Sequence, residues 1–184
     1  MSEKTKKTAI MGILAALTIA LSFLESLIDL PFLPAGAKLG LANIAVMFAI
    51  LTLGGAYGVI LTVLKSLFVL LTRGAAAFFM SICGGLLSVI VLILLARLPK
   101  ISYIAMSVIS AVVFNLGQIL AASVYMKTNL IFSYLPILTV CGVAAGIVTG
   151  AVLSAVMKAL KKLPENVILR KPAGSNKEKD EQTM

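Results

Sequence analysis

Seven polar residues interrupt otherwise apolar runs: Glu25, Lys38, Asn43, Lys65, Ser81, Asn115 and Gln118. Carboxylate, ammonium, hydroxyl and amide groups in such settings can hold a small polar molecule by charge and hydrogen bonds. The chemistry of turnover is missing. There is no His, and the two Cys, Cys83 and Cys141, are far apart, so no zinc or iron site is expected. Glu25 and Asp29 lie four apart, with no second acidic cluster in the apolar region to hold magnesium on a diphosphate. The sequence has no G-x-x-x-x-G-K-[ST] phosphate loop and no Ser, His or Cys constellation for covalent catalysis. These residues describe a binder or translocator with no catalytic residue, metal or cofactor.

The elements that must position them follow from composition. Of 184 residues, 60% are hydrophobic and 12% charged, whereas a soluble domain carries about a quarter charged residues. Between Thr8 and Met157 the charges are Glu25, Asp29, Lys38, Lys65, Arg73, Arg97, Lys100 and Lys127. An all-α integral membrane protein is expected. The net charge of +9 is concentrated at the chain ends, which reads as membrane orientation and not as nucleic-acid binding. A spanning helix needs about 20 apolar residues. Breakers at Pro31 and Pro34, Gly54-Gly55, Arg73-Gly74, Pro99 and Lys127-Thr128-Asn129 predict six helices, at about 8–29, 39–53, 56–72, 76–95, 101–125 and 131–160.

Six spans put both chain ends on one side. Lys4, Lys6, Lys7, Arg97, Lys100, Lys158, Lys161 and Lys162 flank one side, against Lys38, Arg73 and Lys127 on the other. The positive-inside rule then places both termini in the cytoplasm of a multi-pass protein of the cell membrane. Residues 1–7 are expected to form a basic cytoplasmic segment, 8–162 the six-helix membrane domain, and 163–184 a solvated, disordered tail that mixes Lys, Glu, Gly, Ser and Asn.

This orientation assigns depths. Lys65 falls near mid-membrane, and Asn115, Gln118 and Tyr125 share a face of the fifth helix. Glu25 lies in the outer half of the first helix, with Ser22 and Thr18 in the turns below. Lys38, Asn43 and Ser81 fall near the outer surface, and Arg73 and Lys127 read as rim charges. The inner half is expected to be nearly pure Leu, Ile, Val and Ala. An ionised Lys at the bilayer centre costs on the order of 3 kcal/mol, so Lys65 must face a partner or a pocket. It can form a structural ion pair with Glu25 or contact a ligand, and the basic outer loops favour an anionic one. Small residues repeat every four positions at Gly12, Ala16 and Ala20 and again at Gly142, Gly146, Gly150 and Ser154. Such stripes serve either packing within the bundle or docking of another membrane subunit.

The run Lys38-Leu39-Gly40-Leu41-Ala42-Asn43-Ile44-Ala45-Val46-Met47-Phe48, the Gly54-Gly55 turn, and Thr72-Arg73-Gly74 leading into Phe79-Met80-Ser81-Ile82-Cys83-Gly84-Gly85-Leu86-Leu87-Ser88 carry a family resemblance. The chain resembles the Gx transporter family, also labelled heptaprenyl diphosphate synthase component I. That family is similar to substrate-binding S components of energy-coupling factor (ECF) transporters. The resemblance covers about residues 8–162 and implies a six-helix bundle of S-component type. Such a bundle captures a small metabolite beneath the loop joining its first two helices. It docks through Gly12, Ala16 and Ala20 onto a transmembrane coupling subunit driven by two ATPases. The synthase label implies an alternative: a non-catalytic membrane accessory to polyprenyl diphosphate or menaquinone synthesis, or to extracellular electron transfer. A stand-alone carrier is the third reading, and no internal repeat supports it.

Overall fold

The computed structural model describes residues 3–27, 40–98 and 101–161. Lys38 and the loop expected at 31–38, Lys100, Lys162 and the tail expected at 163–184 lie outside the described residues. Within them the chain is helical, with no strand: α1 Glu3–Leu27, α2 Asn43–Thr52, α3 Gly55–Leu95, α4 Tyr103–Met126, a 3-10 turn Leu130–Tyr134, and α5 Leu135–Lys161.

Local chemistry explains the breaks. The expected interruption at Arg73-Gly74 is a kink within α3 and not a loop. Gly74 adopts φ 83°, ψ −177° in mid-helix, where a Cβ would be strained. The limbs on either side, 55–73 and 75–95, are each about 30 Å long at 1.5 Å per residue. Ser102 caps α4 by accepting from the Ala105 N–H at 3.1 Å, a contact typically worth about 1 kcal/mol. Lys127 closes the other end in a left-handed conformation, φ 50°.

Two expectations about elements are corrected. The helix of α1 runs back to Glu3, through the basic segment expected to precede it. The second helix, expected over 39–53, has 10 residues and is about 15 Å long, half the hydrocarbon thickness. Among the described residues, four helices are long and apolar enough to cross a membrane: Thr5–Leu27, Gly55–Leu95, Tyr103–Met126 and Leu130–Leu160. Side chains such as Ile13, Leu71, Val124 and Leu130 are largely exposed on their outer faces, as a lipid-facing surface requires.

Helix α4 packs most extensively, lying against both α5 and α3, while α2 fills the space beside α3 and α1. The main core joins Leu14, Val46, Ile50, Leu61, Leu92, Met106, Leu153 and Met157. The two small-residue stripes take opposite roles. A Cβ at Gly146 would lie 2.7 Å from Val108 Cα, and one at Gly150 2.7 Å from Ile104 Cα, so the α5 stripe is the packing surface for α4. Gly12, Ala16 and Ala20 are exposed, and a Cβ at Gly12 would meet nothing within 4 Å. Helical periodicity accounts for this: α1 buries Leu14, Thr18, Ser22 and Glu25, and the small residues fall on the opposite face.

The half of the bundle at the start of α4, expected to be nearly pure Leu, Ile, Val and Ala, also holds buried hydroxyls. Toward the first turns of α4, the Ser107 and Thr149 hydroxyls meet at 2.7 Å. Ser110 donates to the Ser107 carbonyl at 3.2 Å, and Thr149 donates to the Ala145 carbonyl at 2.8 Å. Hydroxyls that bond to the backbone of their own helix satisfy themselves, so they can sit at an apolar crossing.

Candidate functional site

The first turn of α2 organises the polar centre. Gly40, at φ 85°, turns the chain so that its carbonyl accepts the Asn43 N–H at 2.9 Å and the Leu41 carbonyl accepts the Ile44 N–H at 3.2 Å. The Leu41 N–H is left pointing outward from the turn and donates to Glu25 Oε1 of α1. Asn43, two residues on, accepts from Lys65 Nζ at 2.7 Å through Oδ1. Lys65 itself has no exposed surface, and its ammonium lies 4.7 Å from the centre of the Phe114 ring on α4, a cation–π distance.

Neither sequence reading of Lys65 describes this arrangement fully. Glu25 is close enough to act electrostatically on Lys65, yet each is hydrogen-bonded elsewhere, the carboxylate to a backbone N–H and the ammonium to an amide. The cluster is incompletely satisfied. Glu25 Oε2 and Asn43 Nδ2 are buried without a hydrogen-bond partner among the described residues, a condition that costs about 1–3 kcal/mol per group, more for a charged one.

The other expected residues take separate positions. Asn115 is buried, but its Nδ2 donates to the Leu138 carbonyl of α5 at 2.6 Å; its Oδ1 has no hydrogen-bond partner. Gln118 is fully buried and packs at Gly84, where a Cβ would come within 3.0 Å of Gln118 Cγ. Ser81 bonds Ser66 at 3.2 Å across the two limbs of α3. The structure therefore joins Glu25, Asn43 and Lys65; Asn115 bonds to α5, and Ser81 bonds to Ser66, the neighbour of Lys65 on α3. Tyr125, expected on the face of Asn115 and Gln118, is half exposed and lies against Phe79 at 5.9 Å. Arg73 is more than a rim charge: it donates to the Ser26 carbonyl at the end of α1 at 3.1 Å.

Three contributors escaped the sequence reading. Phe114 adjoins Asn115, a polar residue predicted to face inward, which was its available signal. Gly40 and the Leu41 N–H act through backbone geometry, which side-chain type does not reveal.

Apolar helices of spanning length around buried Glu25 and Lys65, with half-buried Asn43 beside them, define a helical membrane protein with a charged interior cluster. Residues 14–156 match the family model described as heptaprenyl diphosphate synthase component I, and the chain belongs to that family. No curated protein and no solved structure matches it.

Proposed function

We propose that the chain is the membrane substrate-binding subunit of an ECF-type importer, taking up a small polar metabolite. The observation that carries this reading is the fully buried Lys65, held by Asn43 beside a carboxylate with an unpartnered oxygen. A cluster built only for stability would close on itself, because unpaired buried polar atoms are costly. In this reading the two limbs of α3 cross the membrane separately and the short α2 contributes a further segment. The bundle then has six segments of S-component type, with both termini cytoplasmic as the basic residues require. The exposed Gly12, Ala16 and Ala20 face is the docking surface for a coupling subunit, since close backbone approach supplies the attraction between helices in lipid. The chain performs no catalysis itself.

The words of the family's description, heptaprenyl diphosphate synthase component I, are the ground for a second reading, a non-catalytic membrane accessory to polyprenyl diphosphate or menaquinone synthesis or to extracellular electron transfer. Purification of the tagged chain from its native membranes in mild detergent separates the two. Stoichiometric recovery of a transmembrane coupling protein and phosphate-loop ATPases, abolished by Ala16→Leu, supports import. Recovery of a soluble prenyl synthase subunit, indifferent to Ala16→Leu, overturns import in favour of the accessory role.

A further inference from the structure

We infer that the cluster of Glu25, Asn43 and Lys65 recognises a zwitterion: one small molecule carrying both an anionic oxygen group and a protonated amine. This rests on the cluster being a binding site, and it replaces the anionic ligand that the basic outer loops suggested.

The inference follows from which polar atoms remain unfilled. Lys65 has three N–H donors; one goes to Asn43 Oδ1 and its charge is set against the face of Phe114. Asn43 Nδ2, on the same amide that holds Lys65, is a second donor without a partner among the described residues. These adjacent donors suit an anionic oxygen group. On the other side of the α2 turn, Glu25 Oε1 is taken by the Leu41 N–H and Oε2 is an unfilled acceptor, which suits a protonated amine. Leu41 and Asn43 are two residues apart, so the complementary groups belong in one small molecule. Gly40 lies against the cluster, where a Cβ would come within 3.2 Å of Asn43 Nδ2 and 3.6 Å of Phe114 Cδ1.

Charge balance excludes the simpler ligands. Glu25 is 4% exposed and Lys65 0%, so their opposite charges cancel in a region with little water. A simple anion would satisfy Lys65 and Asn43 but leave a net negative charge and Glu25 Oε2 unfilled. A simple cation would do the reverse. An uncompensated charge in such surroundings is strongly unfavourable, and a zwitterion leaves none.

The test equilibrates the purified full-length chain in detergent with a small-molecule extract of its expression host at pH 7. Retained molecules are released by denaturation and identified by mass spectrometry, and their charge is read on cation and anion exchangers. A retained molecule that carries an amine and an acid group and is held by neither exchanger supports the inference. Its retention falls about tenfold to a hundredfold in Glu25→Gln, the loss expected of one charge-assisted bond. Glu25→Gln matches the original shape and keeps an oxygen for the Leu41 N–H, so the variant folds. A retained anion, bound equally or better by Glu25→Gln, overturns the zwitterion while leaving the import reading intact. If the wild type retains nothing beyond what the Glu25→Gln/Lys65→Met double variant retains, both fall, because the cluster then binds no small molecule.

Discussion

Gly146→Ala and Gly12→Ala are the same chemical change placed on opposite sides of the structural argument. Each gains about 0.8–1 kcal/mol of helix propensity, so that contribution cancels when the two variants are compared. At Gly12 the new methyl meets nothing within 4 Å, and the variant is as stable as the parent or slightly more so. At Gly146 it would lie 2.7 Å from Val108 Cα, 3.1 Å from Val108 N and 3.2 Å from Ser107 O. Carbon–carbon contacts settle near 3.5–4.0 Å, so α4 and α5 must part by about 1 Å. Every opposing atom is backbone, so no rotamer change relieves the overlap. Overpacking of this kind costs about 1–3 kcal/mol, and a rigid backbone puts it near the upper end. A difference of about 3 kcal/mol separates the melting temperatures by about 6–12 °C for a chain of this size. Thermal melting in detergent, followed by size-exclusion chromatography of the surviving fraction, measures it. Midpoints within about 2 °C of each other would refute the assignment of the α5 stripe to internal packing and the α1 stripe to a free face.

Further outcomes are expected from the same geometry. Lys65→Met leaves Asn43 Oδ1 without its donor and Glu25 without the nearby charge, lowering stability by about 1–3 kcal/mol; adding Glu25→Gln recovers most of that, and a double variant no more stable than the single would show the two charges to be uncoupled. Arg73→Gln removes the charged bond to the Ser26 carbonyl and should speed amide exchange over the last turn of α1 by about fivefold, for roughly 1 kcal/mol lost at a helix C-terminus; unchanged exchange there would make Arg73 a bystander. In a Cys83→Ala/Cys141→Ala background, a cysteine placed at Lys127 should react with impermeant reagent from outside and one at Arg97 from inside only. The reverse pattern would overturn the orientation.

Much of the fold was legible because it is local. The break at Gly54, the kink at Gly74, the stop at Lys127 and the spanning lengths of the long helices each depend on a few neighbouring residues and on the thickness of a bilayer. Burial of Lys65 was legible too, since a charge in an apolar run cannot face lipid. The family resemblance was likewise carried by contiguous runs that three-dimensional packing does not alter.

What tertiary structure decided was pairing. Periodicity marks Gly12, Ala16 and Ala20 as a stripe just as it marks Gly142, Gly146 and Gly150, but only the crossing of α4 over α5 fills one and leaves the other bare. Charge alone matched Lys65 with Glu25; the turn at Gly40 instead brings Asn43 to the ammonium and the Leu41 N–H to the carboxylate. Asn115 and Gln118 share the buried face of α4 expected of them, and the crossing with α5 gives the Asn115 amide the Leu138 carbonyl while Gly84 leaves room for Gln118. The physical reason is common to all three cases. A helix sequence fixes which side of its own axis a residue occupies, whereas its partner depends on how closely and at what height two axes cross, and those are set by side chains distant in the chain.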